Sequence, residues 1–190
     1  MLERHDGKVV DISRPVFLDI ETTGLYEDDE IVEIAIADYD GREIMNEYIK
    51  PVYAESWPEA QGIHGISPQT VAHSSTFVDQ VPAIRDAIRD RVVAVYNAEF
   101  ELQFLPSHVV AAADLFVCVM ELYREIRGLQ KYVKNTYRLQ NAMDWCRYRK
   151  SQTHRAMEDN LGTIAVWNRL QEQEGERFEN AVSRHCYYVY

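Results

Sequence analysis

Two carboxylates stand one residue apart near the start of the chain, and their setting favours metal chemistry. Asp19 and Glu21 follow the apolar run PVFL of residues 15–18 and precede TTGL at 22–25. Side chains two residues apart point to the same face of a strand, so both acids should project together from a buried position. Isolated buried carboxylates are very costly, and a divalent cation bound between them makes their burial tolerable. The alternative is a solvated strand end whose acids cap the next loop.

Two later segments carry further groups suited to the same chemistry. The segment YNAEFELQFL of residues 96–105 places Glu101 just inside a helix, after a strand expected beside the first one. The segment HRAMED of residues 154–159 places His154 at the start of the last helix and Asp159 five residues later. Five residues correspond to about 140° around a helix, so these two side chains converge only if His154 lies in the loop before the first turn.

The elements that must position these groups follow from hydrophobic periodicity and turn signals. Strands are predicted at 16–20, 31–37, 43–49, 92–95 and 115–119, with a hairpin signal at Asp40-Gly41. Helices are predicted near 68, over 78–88, 98–105, from 121, over 139–146, and from about 154 to about 171. A meander of three strands followed by helix-crossed strands implies a mixed α/β sheet flanked by helices. Ligands of such sheets gather at the carboxyl ends of central strands, where Asp19 and Glu21 lie.

Length and composition indicate one globular domain. The 190 residues are 46% hydrophobic and 27% charged, and we expect a core over about 15–172 with terminal extensions at 1–14 and 173–190. No apolar run approaches the ~18 residues that cross a bilayer, and the charged first residues argue against a secretory signal. Cys118, Cys146 and Cys186 are odd in number and form no CxxC pair, so neither a disulfide framework nor a thiolate zinc site is indicated. We expect no membrane association and a reducing, cytoplasmic location.

The net charge of -11 at first opposes a nucleic-acid partner, but the basic residues are unevenly distributed. Residues 124–155 contain nine basic side chains against two acidic ones. Interleaved aromatic residues could stack on unpaired bases. The alternative is a solvated helical face whose aromatic side chains turn inward. The basic residues are Arg124, Arg127, Lys131, Lys134, Arg138, Arg147, Arg149, Lys150 and Arg155, and the aromatic ones are Tyr132, Tyr137, Trp145 and Tyr148.

Four motifs taken together resemble the DEDDh family of 3′-to-5′ exonucleases, which includes RNase T and the proofreading subunits of bacterial replicases. They are FLDIETTGL, IHGIS, YNAEFELQFL and HRAMED, in this order, within roughly residues 16–170. The tyrosine-type branch would have Tyr where Arg155 stands, so the histidine branch matches better. The resemblance implies a ribonuclease H-like fold with a mixed five-stranded sheet. It also implies hydrolysis of single-stranded DNA or RNA from the 3′ end, with release of nucleoside 5′-monophosphates.

The resemblance also assigns the site residues. By position the four acids are Asp19, Glu21, Glu101 and Asp159, and the histidine is His154. The family implies two Mg²⁺ or Mn²⁺ ions, and such hard cations prefer oxygen ligands. Asp19 would bridge them, Glu21 and Asp159 would complete the site of the nucleophilic water, and Glu101 would hold the second ion directly or through water. His154 would accept the proton of the attacking water.

The chain departs from the family at Glu101, where the third acid is usually Asp. One extra methylene moves the carboxylate by ~1.5 Å, whereas productive geometry usually demands about 0.5 Å. The change predicts weaker activity or an altered metal preference, unless the longer side chain displaces a bridging water. The alternative function is therefore a catalytically weak or inactive nucleic-acid-binding module of the same fold. Glu99 is the poorer candidate for this position.

Substrate contacts implied by the resemblance surround the terminal nucleotide, with a leucine able to wedge against the last bases. Their plainer interpretations are a tight turn, a core leucine and polar loop groups. Beyond a single-stranded 3′ end, a homodimer or a polymerase or repair partner stays open. The apolar tail at 186–190 could pack back as a strand, meet a second subunit or join a partner. The contact residues are Thr22, Thr23, Leu25, His64 and Asn97.

Overall fold

A mixed sheet of six strands forms the centre of the fold. The computed structural model describes residues 1–4, 7–130, 133 and 136–187. Two short strands, β1 (Leu2–Glu3) and β2 (Val9–Val10), pair with each other outside the main sheet. The main sheet has the order β5-β4-β3-β6-β7-β8. Its strands are β3 (Val16–Thr22), β4 (Ile31–Ala37), β5 (Glu43–Tyr48), β6 (Val92–Val95), β7 (Leu115–Cys118) and β8 (Cys186–Tyr187).

The predicted mixed α/β sheet is confirmed, and the predicted count of five strands is wrong by one. Strands β3, β4 and β5 form the expected antiparallel meander, and β6 and β7 run parallel to β3. The sixth strand, β8, comes from the tail and pairs antiparallel with β7 through Cys186 and Tyr187. Of the three alternatives stated for the tail, these two residues follow the first, because they fold back and pair as a strand. Residues 188–190 lie outside the described part of the chain.

Eight helices are found among the described residues, and they connect or cover the strands. No helix of the described chain is long and apolar enough to cross a membrane. The helices are α1 (Pro58–His64), α2 (Pro68–Val71), α3 (Phe77–Ile88), α4 (Ala98–Phe104), α5 (Ser107–Val110), α6 (Val119–Ile126), α7 (Leu139–Trp145) and α8 (Ala156–Arg184).

Helix α8 is the element that brings the end of the chain over the central strands. It packs against β3 and β4, where Trp167 meets Phe17 edge-on at 6.0 Å. The predicted end near residue 171 lies just before a break in the helical backbone at Gly175 (φ 45°), after which a second helical segment, which was not predicted, continues to Arg184. The continuation buries Phe178 against Trp167, with ring centroids 4.9 Å apart. Burial of this aromatic ring explains why the chain remains helical beyond a polar, glycine-containing segment.

Candidate active site

A cleft of about 630 Å³ opens at the carboxyl end of β3. Its walls come from the loop after β3, from α1 and α4, from the start of α7, and from the segment that leads into α8. All ten side chains singled out from the sequence line it. They are Asp19, Glu21, Thr22, Thr23, Leu25, His64, Asn97, Glu101, His154 and Asp159.

Strand β3 presents Asp19 and Glu21 on the face that α8 covers. Phe17, two residues before Asp19, packs on Trp167 of α8, and the period of two then directs both acids to the same side. Asp19 is only 8% exposed. Burial raises the pKa of Asp19 well above its usual range, and the nearby carboxylates of Glu101 and Glu21 raise it further.

Glu101 reaches the cleft from α4, and its carboxyl group is incompletely satisfied. The residue is 3% exposed, and its Oε2 atom has no hydrogen-bond partner among the described residues. Burial raises the pKa of Glu101 well above its usual range, and the charge of Glu21 adds to this, while the backbone N–H of Ile20 acts in the opposite direction. A buried carboxylate oxygen without a partner is costly, and a bound cation would satisfy it.

His154 lies in the loop immediately before α8, which begins at Ala156. This placement meets the condition under which His154 and Asp159 can converge. One ligand atom each from Glu21, His154 and Asp159 lie within 4.8 Å of one another. Asp159 also accepts hydrogen bonds from Gln152 Nε2 at 2.8 Å and from the Thr153 backbone N–H at 3.3 Å. His154 itself is exposed and has a left-handed backbone, with φ 53°. Non-glycine residues seldom adopt that conformation, and those that do cluster at functional sites.

The electrostatics of the cleft fit a divalent cation. Burial and the charges of Asp159 and Glu33 raise the pKa of Glu21 to about 8, although Arg155 acts in the opposite direction. Burial also raises the pKa of Asp159. Four buried or half-buried carboxyl groups thus repel one another where oxygen donors converge. Hard cations such as Mg²⁺ and Mn²⁺ are bound by such donor sets, so the residues present fit the ions implied by the sequence.

Comparison with known proteins identifies the family. The sequence model of the Exonuclease family, RNase T, matches residues 16–167. The chain belongs to this exonuclease family. It is 28% identical over 174 residues to the uncharacterized exonuclease CP81 of Escherichia phage 186, covering 82% of this chain and 87% of that protein. It is 32% identical over 104 residues to the DNA polymerase III subunit epsilon of Escherichia coli K12, covering 50% of this chain and 42% of that subunit. The match therefore spans less than half of the epsilon subunit.

Solved structures of exonucleases share the fold of this exonuclease. Exonuclease X in complex with 5′ overhanging duplex DNA superposes with a TM-score of 0.68 at 24% identity, over 88% of this chain and 97% of that one. The zinc-bound form of the E. coli exonuclease I complex with single-stranded DNA superposes with a TM-score of 0.71 at 18% identity, over 88% of this chain and 42% of that one. Together with the family match, they confirm the predicted ribonuclease H-like fold.

The predicted contact residues of the exonuclease differ in how firmly they are held. Thr22 Oγ1 donates a hydrogen bond to Gly24 O at 2.5 Å, and Thr23 Oγ1 donates one to Asp29 Oδ1 at 2.8 Å. Both hydrogen bonds stabilise the turn after β3. His64 is buried, and its Nδ1 accepts from the Ile66 N–H at 3.0 Å while Nε2 lies 3.1 Å from Thr22 O. Because Nδ1 accepts a hydrogen bond, the ring proton is on Nε2 and the imidazole of His64 is neutral. Burial of the side chain also lowers the pKa of His64, which favours the neutral form.

Leu25 and Asn97 present free groups to the cleft. Leu25 is 71% exposed, which excludes its interpretation as a core leucine. Asn97 precedes α4, and its Oδ1 atom is buried without a hydrogen-bond partner among the described residues. An exposed apolar side chain and an unused acceptor are both suited to contact with a bound molecule.

An ion pair between a buried glutamate and a partly exposed arginine lies next to the site and is absent from the sequence prediction. Glu33 of β4 is 2% exposed and accepts from the guanidinium of Arg155 at 2.5 and 3.1 Å. Glu33 also accepts from the backbone N–H of Ala156 at 3.0 Å, and Tyr48 Oη lies 2.8 Å from Arg155. The signal that could have revealed it is a glutamate in the middle of the otherwise apolar strand IVEIAIA.

The described basic residues between 124 and 155 fall into two groups, those that contact a partner side chain and those that are exposed. Arg124 pairs with Glu121, Arg155 pairs with Glu33, and Arg127 lies over the ring of Trp145. The aromatic residues Tyr137, Trp145 and Tyr148 pack against the hydrophobic core, as the alternative interpretation expected. Lys131, Tyr132 and Lys134 lie outside the described residues. The residues left exposed are Arg138, Arg147, Arg149 and Lys150.

Proposed function

We propose that this chain is a metal-dependent 3′-to-5′ exonuclease of the DEDDh type, which hydrolyses single-stranded DNA or RNA and releases nucleoside 5′-monophosphates. The observation that carries the proposal is the convergence of the acids and the imidazole in one cleft. One ligand atom each of Glu21, His154 and Asp159 lies within 4.8 Å of the other two, and Asp19 and Glu101 line the same cavity. Family membership supports nuclease chemistry, and the resemblance of the five residues to the DEDDh pattern supports the direction.

The four acids would hold two Mg²⁺ or Mn²⁺ ions. Asp19, Glu21, Glu101 and Asp159 would supply the oxygen ligands, and the Oε2 atom of Glu101 has no other partner among the described residues. When bound, such ions supply positive charge that stabilises the attacking and leaving oxygens of a displacement at phosphorus. Their oxygen ligands are here provided by buried carboxyl groups whose mutual repulsion a cation would relieve.

His154 would accept the proton of the attacking water. Its exposure leaves the imidazole accessible from the cleft, and its place in the segment tied to Asp159 through Gln152 and Thr153 keeps it near Glu21. A histidine suits this role because its unperturbed pKa is close to neutral pH. Leu25 would contact the last base, and Thr22, Thr23, His64 and Asn97 would line the pocket of the terminal nucleotide.

The longer side chain at Glu101 favours one competing function, a nucleic-acid-binding module with little hydrolysis. In that case the cleft would hold a 3′ end without cleaving it. A cytoplasmic location and association with a polymerase, a repair protein or a second copy stay predictions from the sequence.

The test is degradation of 5′-labelled DNA and RNA oligonucleotides in Mg²⁺ or Mn²⁺. We expect a ladder that shortens from the 3′ end and disappears in Asp19→Ala. The matched control Asp86→Ala removes an exposed acid outside the cleft and should leave the ladder intact. Tight binding of the oligonucleotides without any ladder would support the binding module instead. Release of label from the 5′ end would overturn the direction proposed.

Glu101→Asp separates the two functions further. A strong increase in rate would show that the glutamate weakens catalysis. A decrease would show that the pocket is built around the longer side chain, and it would count against the binding module. Both outcomes are read from the same ladder in both metal ions.

A further inference from the structure

Four exposed cations lie in one segment of the chain beside the cleft. Arg138, Arg147, Arg149 and Lys150 are exposed, and within the described part of the chain none of them forms an ion pair. We call these four residues the cationic rim. The nearest acid in sequence, Asp144, accepts a hydrogen bond from Gln140. Elsewhere on this acidic protein, Arg89 is paired with Asp86 and Arg14 with Asp40.

Both ends of the cationic rim adjoin the cleft. Arg138 precedes Leu139, which lines the cleft at the start of α7. Lys150 stands two residues before Gln152, which lines the cleft and donates to Asp159. The backbone N–H of Gln152 also donates to Gln140 Oε1 at 2.7 Å, so the loop after α7 is fastened to the helix. The segment that carries the four charges therefore adjoins, at both ends, the wall that carries His154.

The wall formed by the loop after β3 and by α1 has the opposite character. Leu25, Tyr26 and Ile63 line the cleft there and are 71%, 76% and 59% exposed. Gln103 Nε2 holds this loop by donating to Leu25 O at 3.2 Å. The charged residues of this wall are all acidic. Those that line the cleft are Asp29 and Glu59.

We infer that the cationic rim binds the phosphates of nucleotides on the 5′ side of the scissile bond, while their bases turn toward Leu25 and Tyr26. The inference rests on the proposed function. A cleft of about 630 Å³ is the size of a small-molecule site, so it holds only the end of a strand and the remaining nucleotides must lie on its border. Phosphates are attracted to cations and repelled by acids, whereas bases favour apolar and aromatic surfaces. The two walls therefore orient the strand.

The rim should matter for long substrates alone. The test compares Arg147→Gln/Arg149→Gln/Lys150→Gln with Arg42→Gln/Arg89→Gln/Arg91→Gln, a control that removes three exposed charges outside the cleft. On an oligothymidylate of about 12 nucleotides in Mn²⁺, we expect the rim variant to lose about 10- to 100-fold in kcat/KM and the control less than about 2-fold. For the rim variant, the slope of log(kcat/KM) against log[salt] should become shallower by about 0.7 for each phosphate that the rim no longer binds. On a thymidine dinucleotide, both variants should match the parent protein.

The outcomes distinguish this inference from the proposed function. Equal losses in the rim variant and the control would show an effect of net charge and overturn the inference. A loss that is as large on the dinucleotide as on the long substrate would also overturn it. If no protein cleaves either substrate, the proposed function fails, and the inference is then decided by fluorescence anisotropy of labelled oligothymidylate in EDTA. Weaker binding by the rim variant alone supports it, and unchanged binding overturns it.

Discussion

The partly exposed Arg155, which precedes α8, and the buried Glu33 of β4 form a bidentate ion pair with the shortest N···O distance at 2.5 Å. Glu33 also accepts from the N–H of Ala156, so one carboxylate binds both the side chain and the backbone at the start of the helix. His154 is the residue before Arg155, and Asp159 lies in the first turns of α8. The ion pair thus determines where both groups sit relative to Asp19 and Glu21.

The first prediction concerns this ion pair. Glu33→Gln should lower the free energy of unfolding by about 1 to 2 kcal/mol, because it leaves the guanidinium of Arg155 without its carboxylate, and the 36% exposure of that side chain lets water replace part of the lost interaction. It should also lower kcat on a dinucleotide about 10- to 100-fold with little change in KM, since His154 and Asp159 lose their position. Arg155→Lys should reduce kcat less than Glu33→Gln does, because lysine keeps the positive charge and loses only the planar guanidinium that binds the carboxylate through two hydrogen bonds. Chemical denaturation and steady-state kinetics measure both effects.

A matched control is Arg14→Gln, which breaks an exposed ion pair with Asp40. It should change stability by less than about 1 kcal/mol and leave kcat unchanged. An unchanged kcat in Glu33→Gln, together with reduced stability, would show that the pair supports the fold alone.

The second prediction concerns the cation. Mn²⁺ should raise the melting temperature of the protein, and at about 100 times its dissociation constant it should add about 2.7 kcal/mol of stability. Asp19→Asn should abolish this increase. In EDTA the same variant should be more stable than the parent, because burial and repulsion disfavour the ionised form of Asp19 in the folded state. Asp86→Asn, at an exposed position, should behave as the parent does. Lower stability of Asp19→Asn in EDTA would contradict the expected repulsion.

The sequence predicts those parts of the site that depend on residues close together in the chain, and it misses those that depend on contacts between distant residues. The common face of Asp19 and Glu21 follows from the period of a strand, and the loop position of His154 follows from the angle that separates it from Asp159 on a helix. Glu33 escaped prediction because its partner is 122 residues away. The extension of α8 escaped it for the same reason, because Gly175 is a local stop signal whereas the contact of Phe178 with Trp167 depends on the tertiary fold.

The third prediction separates two roles of His154, which lies close enough to Glu21 and Asp159 to be a metal ligand or a base. If it is the base, His154→Ala should lower kcat by about 10²- to 10⁴-fold while the Mn²⁺-induced increase in melting temperature stays the same. His73→Ala, at an exposed histidine outside the cleft, is the control. Disappearance of the Mn²⁺ effect in His154→Ala would identify the imidazole as a ligand instead.

The fourth prediction is a pH dependence of stability remote from the cleft, where Glu125 of α6 meets the end of α8. Glu125 pairs with Arg184, and His185 Nε2 lies 2.7 Å from it. The hydrogen bonds from Arg184 and His185 lower the pKa of Glu125 to about 2. Because the folded-state pKa lies below the ordinary value of 4.5, this stabilisation is complete above pH 4.5 and is lost as the pH falls from there toward 2.

Glu125→Gln should therefore lower the free energy of unfolding by about 1 kcal/mol at neutral pH, a value reduced for the partial exposure of the pair. The difference from the parent should shrink as the pH is lowered from about 4.5 toward 2, because protonation neutralises the parent carboxylate there. Glu176→Gln, at an exposed position on α8, should show no such difference. Denaturant unfolding across this pH range measures it. A difference that stays constant with pH would show that packing, rather than the charge of Glu125, anchors the end of α8 and the start of β8.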